Sequence, residues 1–475
     1  MNILETVLLA AALLQDPAAE IRRCLSEARQ AAEAIPSAPA NEPARYTILS
    51  RVAQGYADIG DVDQALQTTA ALALPTYRTQ VQVQVARTRK QKGDAAGATR
   101  SLQAATDEAL KGGPEFATSC LLDVAQACVE FDPARALEMC RKGVELASAE
   151  KLPQRKSLGL GRFASIQAAA GDLEAALTTE ASVPDPGYRK QARLMIATAR
   201  AKAGDAKGTL RTLEGVEERM ALAPLLMLVA SQAQAGDIEG SRQTREKLKG
   251  LSQGSMGEAA FCRGRVDAGD LQGALAAAAA IESEPQRQEV RMLVAEAQLK
   301  AKDLKGALET LAPVPPASRN PGLLRNLARV QADAKQVAEA QKTARSIRDP
   351  FHRTWALIGI ASAQGEGKDR AGAALTLEEA RTSAEAVLDQ TGNRTTLLVH
   401  LAGAYAGVQD LAGATAMMKA SSTPAAAAQE IARARARAGE GAAVRTWAAG
   451  LEAGAIRGSA LIGAAEGWIE RRDRK

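Results

Sequence analysis

The 475-residue chain carries 60 Lys and Arg against 55 Asp and Glu, a net charge of +5. That bias is too mild for a nucleic-acid-binding stripe. Aromatics are 3% and more than a fifth of the residues are alanine, a composition that excludes large β-sandwich, barrel and propeller cores and favours helices.

Two histidines, His352 and His400, and five cysteines, Cys24, Cys120, Cys128, Cys140 and Cys262, are scattered without a C-x-x-C pair. Zinc or iron chemistry, a Ser/His/Asp or Cys/His triad and a disulfide framework therefore have no footing. Cys120 and Cys128 read as small buried apolar residues. The expectation is a protein with no metal, no cofactor and no catalytic residue.

From the N-terminus, Val7–Leu14 is an uninterrupted apolar stretch with the length of a signal-peptide core and too short to span a bilayer. No Lys or Arg precedes it, Glu5 stands where a basic residue is usual, and no clean cleavage site comes after it. Residues 1–15 thus read either as an export signal or as the first helix of the array. The balance leans to export, a periplasmic rather than cytoplasmic location in a bacterium. Residues 16–43 read as an N-terminal helix and linker, with a flexible zone at Ser37–Pro43.

Residues 44–458 are organised by one recurring phrase: an apolar helix, Gly-Asp, three residues, then a small residue. It reads GDVDQAL at Gly60, then recurs from Gly93, Phe131, Gly171, Gly204, Gly236, Gly269, Lys302, Lys335, Lys368, Gln409 and Gly439. From Gly171 to Lys368 the steps are 32 or 33 residues; steps of 38 and 40 flank Phe131, and one of 41 precedes Gln409. Such a period is the mark of a repeat array. Glycine suits the left-handed residue that ends a helix, and Asp is a strong cap for the next one. Each unit therefore reads as a hairpin of helix A and a shorter helix B of about ten residues, which breaks at a proline- or glycine-bearing loop. The small fifth position, Ala65, Ala98, Ala136, Ala176, Ala274, Ala307, Ala340, Ala373 and Ala414 in nine copies, lets B press against A. The widened steps are expected to lengthen helices, as at Ala371–Leu388. Residues 459–475 read as an unpaired capping helix with a charged tail, the polar end that a repeat array needs.

These features resemble the tetratricopeptide repeat family, with its glycine-bearing turn and a small residue five positions later. The family's helix-A aromatic appears only as Tyr56 and Tyr405, which marks a degenerate, alanine-rich relative. The resemblance implies an all-α fold, a right-handed α-solenoid of about twelve antiparallel hairpins (a tetratricopeptide-like superhelix), and a non-enzymatic scaffold binding a protein or peptide. An accessory or catalytic protein with a site in the solenoid groove, or a helical-repeat RNA binder, stays open beside it.

Two ladders are the candidate binding residues. Fifteen positions before a phrase stand Arg45, Arg78, Lys156, Arg189, Arg287, Arg353 or Arg394. They read either as forks for the carboxylates of an acidic peptide or, more simply, as braces to an Asp or Glu of an adjacent helix within about 4 Å. Four positions before a phrase stand Tyr56, Arg89, Gln167, Arg200, Gln232, Arg265, Gln298, Gln331, Gln364, Tyr405 or Arg435, which read as packing between helices or as groove-lining contacts. The run Arg433, Arg435 and Arg437 reads as a solvated helix face. Gly365-Glu-Gly-Lys368 lacks the pattern of a phosphate loop.

Overall fold

The computed structural model describes residues 17–36, 38–111, 114–250, 254–388 and 392–474. The export signal expected at residues 1–15 lies outside them. The described residues form 26 α-helices and one 3-10 turn, Pro316–Ser318, with no strand. They make an all-α helical repeat solenoid.

Twelve hairpins succeed one another along the chain. Helices A are α2 (Glu42–Asp58), α4 (Pro75–Gln91), α6 (Pro114–Phe131), α8 (Pro153–Ala169), α10 (Pro186–Lys202), α12 (Glu218–Gln234), α14 (Gly254–Asp267), α16 (Glu284–Lys300), α18 (Pro321–Asp333), α20 (Pro350–Glu366), α22 (Asn393–Gly407) and α24 (Pro424–Ala438). Helices B are α3 (Val62–Thr69), α5 (Ala95–Lys111), α7 (Pro133–Ala149), α9 (Leu173–Ala181), α11 (Ala206–Thr212), α13 (Ile238–Gly250), α15 (Leu271–Ala278), α17 (Leu304–Leu311), α19 (Val337–Ser346), α21 (Arg370–Glu385), α23 (Leu411–Ala420) and α25 (Gly441–Ala449). The widened steps do lengthen helices: α5, α7 and α21 have 17, 17 and 16 residues. Prolines at the ends of the loops are the first residue of seven helices A, where the missing N–H has no partner to lose.

Each turn is built as the phrase demands. All ten phrase aspartates cap helix B through a side-chain oxygen. Asp172 accepts from Ala175 N–H at 3.0 Å and Asp270 from Gly273 N–H at 2.8 Å. The phrase origin is left-handed at all seven phrase glycines, and also at Lys302, Lys335, Lys368 and Gln409, with φ between 60° and 70°. The turn geometry thus outlasts its glycine. The small fifth position is buried in all twelve copies, with Ala176, Ala274 and Ala307 at 0% exposure.

The chain divides into two compact units: the described residues of 1–104 and 320–475, and those of 105–319. One expectation fails in the first unit. Helix α26 (Ala455–Asp473) is not an unpaired polar cap. It packs against α24, α1 (Pro17–Glu33) and α2. Ala460, Leu461, Ala464, Ala465 and Trp468 share one core with Ile21, Cys24, Leu25, Ala28 and Ala32 of α1. The charged tail is real, but the helix before it carries an apolar face that has to be covered. By position, α26 is a thirteenth helix A and α1 is its helix B. This hairpin is split between the two ends of the described chain. Two glycines permit the fit: a Cβ at Gly463 or Gly467 would overlap the carbonyl oxygen of Gln429 or Arg433 on α24.

Candidate functional site

The first ladder braces the array, but not through the expected carboxylates of adjacent helices. Arg78, Arg189, Arg287 and Arg353 donate to the backbone carbonyl six residues earlier, at Leu72, Val183, Ile281 and Ile347. Those four residues are buried just past the end of helix B. Carbonyls at a helix C-terminus have no intrahelical donor, and the guanidinium at the start of the next helix A supplies one. Lys156 does the same for Ser148 at 2.8 Å. Arg457, outside the twelve copies, does so for Leu451 at 3.0 Å. Carboxylate partners are local: Arg45 pairs with Glu42 at 3.1 Å and Arg287 with Glu284, each within its own helix. Arg353 also donates to Ser383 at 3.0 Å. Arg394 is half-buried in the first turn of α22.

The second ladder closes the turns. Arg89, Arg200 and Arg265 donate through Nε to Oδ2 of the cap aspartate five residues on, Asp94, Asp205 and Asp270, each at 2.8 Å. Oδ1 of the same aspartate accepts the helix-B N–H. One carboxylate therefore ties the end of A to the start of B. The backbone N–H of Gly97 and of Gly273, and then the guanidiniums of Arg89 and Arg265, hold Asp94 and Asp270 below the usual carboxylate range. Arg89 and Arg200 also donate to the carbonyls of Ala57 and Ala168 in the preceding helix A, at 2.6 and 3.1 Å, which couples neighbouring hairpins. Gln232 and Gln364 bond the cap aspartate on one side and Thr244 and Thr376 on the other. Tyr56 and Tyr405 are 5% and 2% exposed, too deep for a partner to reach. Tyr405 donates to Glu378 at 2.8 Å.

The first unit has a hollow of about 470 Å³ elsewhere, bordered by α20, α22 and α24. Its lining includes Gly403, Ala404 and Gly407 of α22, where side chains are missing or small. Gly403 lies close to Glu430 of α24, and nothing stands within 4 Å of a Cβ built at Gly407. Around them are Glu366, His400, Glu430, Arg433, Arg437 and Arg474. His400 lies tilted against Trp355 with centroids 4.5 Å apart, and burial pushes its pKa down. Arg433 donates to Glu470 at 2.6 Å. Arg437 approaches the other oxygen of that carboxylate only to 3.8 Å, and Arg474 reaches the exposed Glu366 at 3.5 Å. The run expected as a solvated face is therefore divided. Arg435 is 7% exposed and bonded to Glu440 at 2.9 Å, while Arg433 and Arg437 border the hollow. The second unit has its own concavity of about 600 Å³, with Val129, Leu194, Met195 and Met220 among its lining.

Residues 265–321 match the family model of the tetratricopeptide repeat. Over that stretch the chain is similar to tetratricopeptide repeats. The matched stretch begins at Arg265 and holds the turns at Asp270 and Asp303, one with its glycine and one with Lys302 in its place. No curated protein matches the sequence. Among solved structures the chain is similar to Ton1535 from Thermococcus onnurineus NA1, at 17% identity over 71% of this chain and 94% of that one, with a TM-score of 0.28. It is also similar to a circular tandem repeat protein with novel repeat topology, at 14% identity over 96% and 99% of the two chains, with a TM-score of 0.20.

Across the array the position held by Tyr56 and Tyr405 is in other copies an Arg or Gln that clasps A to B. No cluster of three His, Cys, Asp or Glu residues fit to hold a metal occurs among the described residues. None of their helices is long and apolar enough to cross a membrane. The hollow escapes a reading of the sequence because its floor is an absence of side chains on α22. The spacing of Gly403 and Gly407 on one helix face was the available signal.

Proposed function

We propose that this protein is a non-enzymatic scaffold for a protein or peptide partner, and that the partner places a carboxylate-bearing segment in the hollow beside Gly403 and Gly407. Tetratricopeptide repeats generally mediate contacts between proteins. The placement rests on one observation: Arg437 and Arg474 are loosely paired guanidiniums beside a floor cleared of side chains. A guanidinium offers five N–H donors in a fork that fits a carboxylate. A partner carboxylate adds to Arg437 and replaces exposed Glu366 at Arg474. The ladder residues Arg45, Arg78, Arg189, Arg200, Arg265, Arg287, Arg353, Arg394, Tyr56 and Tyr405 are then framework and not contact surface.

A fluorescein-labelled oligoglutamate peptide is the direct probe. Its binding, read by polarisation, should weaken as salt rises, because exposed charges are screened within about 8–10 Å near physiological ionic strength. The double variant Arg437→Glu, Arg474→Glu should abolish it at an unchanged melting temperature. Equal binding by the variant overturns the placement. A cellular partner captured equally by both proteins would keep the scaffold reading and move its surface elsewhere.

A further inference from the structure

The split hairpin differs from the other twelve in how its helices are joined. In each ordinary hairpin, one to three residues connect helix A to helix B. Helix α1 has no such link to α26. Its near connection is to α2, through residues 34–41. It can leave α26 without undoing any turn, and the tether keeps it close for return. Its apolar contribution is one narrow stripe, Ile21, Cys24, Leu25, Ala28 and Ala32, buried against α26 and, through Leu25, against Gly55 of α2.

Polar contacts give the docking its register. Arg445 of α25 lies 3.0 Å from Glu20 and 3.3 Å from Glu27 on α1. Glu20 is 4% exposed. Neither Arg445 Nε nor Glu20 Oε2 makes a hydrogen bond with proper geometry, and the Trp468 indole N–H has no acceptor among the described residues. A buried ion pair so incompletely bonded selects a partner more than it stabilises the contact.

We propose that α1 is a tethered latch. It undocks as a unit from α25 and α26, re-docks, and is selected by the Arg445 contacts to Glu20 and Glu27. Undocking uncovers a helix-accepting groove bordered by Val444, Ala448, Leu461 and Trp468, all of the same core cluster. An amphipathic helix with α1's pattern, an apolar stripe flanked by two acids one heptad apart, is what that groove accepts. The latch is independent of which surface the scaffold's partner uses.

The cysteines report on it. All five are buried, and Cys24 sits on the docked face of α1. Burial first, then Glu27, pushes its thiol up to about 12, so docked Cys24 is unreactive. The full-length protein is exposed to N-ethylmaleimide under native conditions, and each labelled site is followed by mass spectrometry. Arg445→Glu should speed labelling of Cys24 by about tenfold or more, as loss of a buried pair frees a local opening, and leave the other four thiols unchanged. Adding Glu20→Arg and Glu27→Arg should restore the slow rate. Acceleration of all five thiols together, or no acceleration at Cys24, overturns the latch. Should Arg445→Glu fail to fold, amide exchange of the unmodified protein decides. Residues 17–33 exchanging together and faster than 42–58 support the latch; equal protection of the two overturns it.

Discussion

The hairpin α14–α15 and the seam α26–α1 solve one packing problem in two ways. In the former, a three-residue turn joins the helices, Asp270 caps α15, and Arg265 ties the same carboxylate back to α14. Everything that holds the two helices in register is local in sequence. In the seam, register comes from distant residues: glycines of α26 against the α24 backbone, and Arg445 against two glutamates at the other end of the chain. A local turn needs only the right four or five residues. A seam needs surface complementarity, and so has more ways to fail.

The largest effect should come from spoiling that complementarity. Gly463→Val drives a side chain into the Gln429 carbonyl and should lift α26 from α24, at roughly 3 kcal/mol or more in urea unfolding. A melting curve like that of the unmodified protein would mean that the close approach is relaxed in solution. Next is the ordinary hairpin's interior. Ala274→Leu overpacks a fully buried position and should cost about 1–3 kcal/mol; an unchanged melting temperature would argue against tight A–B contact. Smaller again is the turn. Asp270→Ala removes one exposed helix cap and Arg265's partner, and should lower the melting temperature less than either packing change. Its amide exchange should rise at the start of α15 and stay unchanged in α26.

Acid should separate the two regions by sign. Asp270 is held below its ordinary 3.8, by the Gly273 N–H and then Arg265. Its contribution is complete above pH 3.8 and is lost as pH falls through its lower folded value. In the seam, burial foremost raises Glu466 above its ordinary 4.5, against the Gln429 hydrogen bond and Arg51. Ionised Glu466 therefore opposes the fold at neutral pH, and the opposition is relieved as pH falls through its raised folded value. Between neutral pH and about 4.5, protection of α26 amides, corrected for intrinsic exchange, should rise while that of the turns stays flat. A parallel response of the two would contradict the assignment.

The turns were legible because their chemistry is contained in a few adjacent residues. Asp172 and Asp270 announce caps by type, and a small residue four positions after the aspartate announces close packing. The copies without glycine were legible from the period together with the small fifth residue that they keep, and Lys302 and Gln409 hold the left-handed turn without glycine. The ladder of Arg78, Arg189, Arg287 and Arg353 was visible as a column, but its acceptors are backbone carbonyls, which every residue carries and no sequence pattern distinguishes. The hollow was hidden for a related reason, since it consists of what Gly403 and Gly407 leave out.

By itself the sequence determined the helical class, the hairpin unit, the turn positions and the buried small column, all products of local propensity and spacing. Tertiary structure alone decided that the last helix is buried, and that its partner is the first helix described. An apolar stripe states only that a helix must be covered. Which of many similar alanine-rich faces covers it depends on where glycines allow backbones to approach and where Arg445 finds Glu20 and Glu27. Those conditions are met by residues more than 400 positions apart, beyond the reach of any local pattern.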